Sequence, residues 1–119
     1  MAENKEYFTQ EMENGSIQIS EDVVASVTGM AVLEVEGVCG LSSSIGTDIA
    51  EMLGMKTLSK GVRLSTTETG ALRIDCDVVS KFGQNIFELA KNVQENVKSS
   101  VESVTGLRVA EVNVTVCGI

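Results

Sequence analysis

Asp75 and Asp77 stand two positions apart, beside Arg73, in a stretch where Leu72, Ile74, Cys76 and Val78 alternate with other residues. Side chains two apart on a strand leave from the same face. The two carboxylates therefore share a surface on which they could hold a cation or exchange a proton, or simply face water. The chain of 119 residues contains no His, hence no imidazole ligand, no Ser-His-Asp or Cys-His arrangement, and no side chain whose ordinary pKa lies near neutrality. Catalysis is disfavoured, and the expectation is a protein that is not an enzyme and uses no cofactor or metal.

Cys39, Cys76 and Cys117 are too far apart for a zinc ribbon or a redox C-x-x-C pair, and three is an odd number for a closed disulfide framework. Reduced thiols are expected, with Cys76 on the inward parity of its strand and Cys117 on the outward one. Gly37-Val38-Cys39-Gly40 has the G-x-x-G spacing that clamps a nucleic-acid backbone in KH domains, but Glu34 and Glu36 precede it and no Lys or Arg follows before Lys56. A loop after a helix explains these glycines better. Lys56, Lys60 and Arg63 form one small basic cluster, and no phosphate-binding Gly-Lys-Ser/Thr loop is present.

These residues need elements to hold them. Residues 1–14 are acidic and short of apolar side chains, so they are expected to form a flexible tail ahead of a single domain over 15–119. Ile17 and Ile19 suggest a short extended segment ending at Ser20, a natural N-cap for a helix over about 21–35 with Glu21 and Asp22 in its first turn. Val23, Val27, Met30 and Ala31 are expected to face inward. Residues 37–56, rich in Gly and Ser, read as a long connection that includes a short helix over 47–53. Strands over 58–66 and 72–80 form a hairpin around Thr67-Glu68-Thr69-Gly70.

A helix over about 84–103 carries the clearest pattern. Ile86, Leu89, Ala90, Val93, Val97, Val101 and Val104 fall on one arc, and Glu88, Lys91, Glu95, Lys98 and Glu102 on the other. Gly106 suits its C-terminal stop. A last strand over 108–117 points Val112, Val114 and Val116 inward and Glu111, Asn113 and Thr115 outward. The order is (β)αββαβ, a two-layer α+β sandwich with two helices on one face of a small mixed sheet and the last two strands parallel. A ferredoxin-like arrangement is the nearest alternative.

With 17 acidic and 9 basic side chains the net charge is −8, which opposes attraction to nucleic acid or an anionic membrane. No apolar run is long enough to span a membrane, and residues 1–15 do not resemble a signal peptide. The expected location is the cytoplasm, with any membrane association made through a partner. That partner is expected to be a protein, with a membrane-anchor protein and a second copy of the chain as candidates. The interaction surface expected on the outer sheet face comprises Arg73, Asp75, Asp77, Glu111 and Asn113, with the 37–57 loop as a second location.

Several stretches taken in order resemble the alkaline-shock-protein family, also called the Gls general-stress or envelope stress response family of Gram-positive bacteria. They are Gly15-Ser16-Ile17-Gln18-Ile19-Ser20, Glu34-Val35-Glu36-Gly37-Val38, Lys60-Gly61-Val62, Phe82-Gly83, Val93-Gln94-Glu95-Asn96-Val97, Thr105-Gly106-Leu107, Val112-Asn113-Val114 and Gly118-Ile119. The resemblance covers about residues 15–119. It implies a non-enzymatic protein of cell-envelope homeostasis and stress, held in some members at the membrane by a separate anchoring protein and self-assembling there. It also implies a cousin group encoded near fatty-acid synthesis functions, so regulation of an acyl-CoA carboxylase-type enzyme is the alternative role.

Overall fold

The computed structural model describes residues 7–42 and 61–119. Along the chain run β1 (Tyr7–Met12), β2 (Gly15–Ser20), α1 (Glu21–Glu34), β3 (Val38–Leu41), β4 (Val62–Thr66), β5 (Leu72–Ser80), α2 (Ile86–Thr105) and β6 (Val109–Gly118). The fold is α+β, with both helices packed on one face of a mixed sheet. The expected helix over 47–53, the start of the strand expected from residue 58, and Lys56 and Lys60 of the basic cluster lie outside the described residues.

β5 is the axis of the sheet. β6 pairs with it in parallel over almost its whole length, as the crossover through α2 requires. Its other side is filled by two short antiparallel strands laid end to end: β4 against Leu72 to Cys76, and β3 against Val78 to Ser80. They meet at Asp77, whose C=O accepts from the Ser42 N–H at 2.9 Å and whose N–H donates to the Gly61 C=O at 2.8 Å. The chain thus leaves the sheet at Ser42 and rejoins it at Gly61 beside the same residue. β3 corrects the expectation of a continuous connection from residue 37. Two glycines in four positions imitate a loop, but Val38 is buried and Leu41 packs on the core.

Residues 7–12 also depart from expectation, forming β1 where a flexible tail was foreseen. β1 and β2 make a separate two-stranded sheet through a two-residue turn at Glu13 and Asn14, in register from Tyr7↔Ser20 to Met12↔Gly15. Two-stranded ribbons are marginal alone. This one is fastened by Phe8 and Ile19, which pack on the core, and by the Gln10 side-chain amide, which donates to the Gly106 C=O at 2.9 Å. Tyr7, Phe8 and Thr9 are good strand formers, a local preference masked by the surrounding acids.

The helices are capped alike. Ser20 Oγ accepts from the Val23 N–H at 3.2 Å, and Asn85 Oδ1 from the Glu88 N–H at 3.0 Å. α2 buries Leu89, Val93, Val97 and Val101. Val104, expected inward, is exposed because Leu107 and Val109 fill the core at that end. α1 buries Val24, Ala25, Thr28, Gly29, Ala31 and Val32. Val23 and Met30, expected inward, face outward, Met30 at 65% exposure. Thr28 tolerates burial because its hydroxyl donates to the Val24 C=O at 2.9 Å. The two helices are joined by Asn96, whose Nδ2 donates to the Ala31 C=O at 2.7 Å.

Candidate functional site

The helices occupy the sheet face lined by Leu72, Ile74, Cys76 and Val78, so the opposite face carries the other parity of β5 and β6. The parallel register sets Arg73 beside Glu111, Asp75 beside Asn113 and Asp77 beside Thr115. Arg73 and Glu111 form an ion pair with both side chains nearly half exposed. Asn113 Nδ2 donates to Asp75 Oδ1 at 2.8 Å. Four of the five residues expected on an interaction surface are therefore brought together as two bonded cross-strand pairs.

Asp77 is the correction. It lies on the same strand parity but is only 4% exposed, so it offers nothing to a partner. The cause is Arg63 of β4, which opposes Asp75 in the register yet reaches diagonally to Asp77. Arg63 donates from Nη1 to Oδ2 at 2.8 Å and from Nη2 to Oδ1 at 3.2 Å, a two-point clasp. Asp75 and Asp77 are thus engaged with different neighbours and do not converge on a shared ion. The hydrogen bond to Asp77, together with the charges of Asp77 and Asp75, raises the Arg63 pKa against the opposing effect of partial burial.

Between these carboxylates in sequence, but on the other face, Cys76 is fully buried. Burial first, then the charges of Asp75 and Asp77, push its thiol up to about 12, with Arg63 pulling weakly the other way. It is neutral and packs as a small apolar side chain, as its parity suggests. Cys117 is exposed on the outward parity, its Sγ at 3.4 Å from the Val78 C=O, and Cys39 is exposed on β3. Among the described residues no group of three or more His, Cys, Asp or Glu is placed to hold a metal ion, and no helix is long and apolar enough to cross a membrane.

The G-x-x-G segment has a structural explanation. Gly37 sits at φ +97°, and a Cβ there would lie 2.5 Å from Gln84 Oε1 and 2.9 Å from Leu89 Cδ1. This glycine lets β3 start against the first turn of α2. Sequence reasoning missed the Arg63 clasp, which needs the β4–β5 register to be seen. It also missed the exposed Phe82 and Phe87, the latter with Lys91 Nζ 5.9 Å from its ring centre.

Residues 9–119 match the model of the alkaline shock protein 23 family, described as having a cell envelope-related function. The chain is 37% identical over 105 residues to an uncharacterized protein of Streptococcus pyogenes serotype M6, covering 87% of this chain and 86% of that one. It is 36% identical over 107 residues to the uncharacterized protein YloU of Bacillus subtilis, covering 88% of each. It is 31% identical over 105 residues to YqhY of the same organism, covering 88% of this chain and 77% of that one. Among solved structures, the copper form of the MamM CTD is similar in fold, with a TM-score of 0.50 at 15% identity over 83% of this chain and 86% of that one.

Proposed function

Because this chain belongs to the alkaline shock protein 23 family, we propose that its cell envelope-related role is that of a non-enzymatic adaptor, working in the cytoplasm and reaching the membrane through a protein partner. The observation that supports this reading is the outer sheet face. Both helices lie on the other side, leaving the paired side chains Arg73–Glu111 and Asp75–Asn113 open to a partner. An exposed face that carries charges of both signs selects a partner by charge complementarity. The resemblance noted from the sequence makes a membrane-anchor protein the first candidate.

The test exchanges the ion pair. Arg73→Glu combined with Glu111→Arg keeps opposite charges across the two strands and reverses their layout. Native capture from a Gram-positive lysate, read by mass spectrometry, is expected to lose the partners retained by the unaltered chain, with its melting temperature preserved. Unchanged capture overturns the sheet-face reading.

A further inference from the structure

The outward side of α1 is unlike an ordinary solvated helix. At 100° per residue, Val23, Ser26, Met30, Leu33 and Glu34 fall within an arc of about 100°, and Val23, Met30 and Leu33 are each roughly half exposed or more. The stripe from Val23 to Leu33 is about 15 Å long at the ordinary helical rise. No charged residue interrupts it. Contiguous exposed apolar surface of this kind, edged by polar groups, marks places where another molecule binds.

The charges that line the stripe's C-terminal end are one-signed, with Lys91 and Lys98 lying beyond Glu95 on α2. Where α1 ends, Glu34, Val35 and Glu36 face Asn92, Glu95 and Asn96 of α2 across an open groove of about 400 Å³. The last turn of α1 contains no basic residue, so the negative end of its dipole adds to these carboxylates. Among the described residues no Lys or Arg pairs with Glu34, Glu36 or Glu95. The wider chain has the same bias. Residues 6–55 hold nine acidic side chains and no Lys or Arg, so that this half carries −9 and the rest +1.

We propose that the outward face of α1, with Val23, Met30 and Leu33 as apolar anchors and Glu34, Glu36 and Glu95 as acidic rim, docks a basic amphipathic helix of a partner protein. Apolar residues at helical spacing on the partner would lie along the stripe, and its Lys or Arg would enter the groove at the C-terminal end of α1, where both side chains and dipole favour a cation. An anionic bilayer would meet acidic groups at the rim and be repelled. A second copy meets the same obstacle: α1 begins with Glu21 and Asp22 and ends with Glu34, so a parallel or an antiparallel pairing sets acid on acid. This surface lies on the helical layer, away from the outer sheet face, and its docking role stands or falls independently of that face.

The experiment uses the full chain labelled with ¹⁵N and a synthetic amphipathic helix of Leu and Lys. The control peptide has the same residues scrambled so that its leucines share no face. Saturable amide shifts are expected over residues 22–36 and at 92–96, with affinity falling as salt rises and the scrambled peptide at least about tenfold weaker. Met30→Ser with Leu33→Ser is expected to weaken binding by about tenfold, and Glu34→Gln with Glu36→Gln by several-fold, whereas Glu68→Gln, which removes an exposed charge from the β4–β5 turn at the other end of β5, leaves it unchanged. Circular dichroism melts establish that these surface variants fold. Shifts centred on the sheet, equal binding of the scrambled peptide, or indifference to the Met30/Leu33 pair overturns the proposal. Concentration-dependent self-association abolished by that same pair also overturns it, in favour of a second copy.

Discussion

α1 and α2 lie side by side on one sheet, begin with the same kind of cap, and differ in what they show to solvent. α2 follows the usual division along its middle, where Leu89, Val93, Val97 and Val101 are buried and Glu88, Lys91, Glu95 and Lys98 are exposed, and shows apolar side chains to solvent only near its ends, at Phe87 and Val104. α1 has apolar residues on every side. It buries small side chains, Ala25, Gly29 and Ala31 with two valines and a threonine, against its neighbours, and leaves larger ones, Met30 and Leu33, outside. A helix lying close on its neighbours needs small residues underneath, and burial follows that need rather than hydrophobicity alone. Stability therefore resides in the inner side of each helix, while the outer side of α1 is free to serve another purpose.

The largest expected effect separates those two sides. Val97→Asp puts a carboxylate where the native side chain is wholly buried, and urea denaturation is expected to show a loss of more than about 3 kcal/mol, or no cooperative fold. Met30→Asp, on the outer side of α1, is expected to stay within about 0.5 kcal/mol of the native value. Comparable losses at the two positions would break the distinction between the helices.

A smaller effect distinguishes the helix exits. Both use glycine at positive φ, Gly37 at +97° and Gly106 at +76°. Gly37 is also crowded by Gln84 and Leu89, whereas the nearest atom to a Cβ on Gly106 would be Gln10 Nε2 at 4.0 Å. Gly37→Ala is expected to cost about 2 kcal/mol and Gly106→Ala about 1 kcal/mol, read as the difference in denaturation midpoints. Equal costs would mean that backbone conformation alone matters at both exits.

The smallest effect is one in which the helices should agree. Ser20→Ala and Asn85→Ala each remove a single cap bond, and each is expected to lower stability by about 1 kcal/mol in thermal melts. A much larger loss at Ser20 would show that α1, with its valines, depends on its cap more than α2 does.

Where the pattern was periodic and two-sided, sequence was enough to place the element. α2, the β4–β5 hairpin and β6 stand where residue spacing puts them, within a few residues. α1 was placed correctly but faced only in part, with Val27 and Ala31 inward as expected and Val23 and Met30 outward, since a helix apolar all round gives periodicity no side to prefer. β1 and β3 were missed because composition, acidic in one and glycine-rich in the other, outweighed short strand preferences that only tertiary pairing reinforces. At the outer face, alternation identified the parity of Arg73, Asp75, Glu111 and Asn113, but their pairing depends on the parallel register between distant strands. The burial of Asp77 depends on Arg63 reaching diagonally from β4, a contact between residues 14 apart that no local pattern announces.

The junction at Asp77 has a consequence for how this side of the sheet holds together. Because Ser42 and Gly61 are tied to the C=O and N–H of one residue, the chain's exit and re-entry are a single seam in one edge of the sheet rather than the two ends of a span that must be bridged. The end of β3 and the start of β4 therefore hang on one residue of β5, so that displacing the Asp77 backbone releases both together.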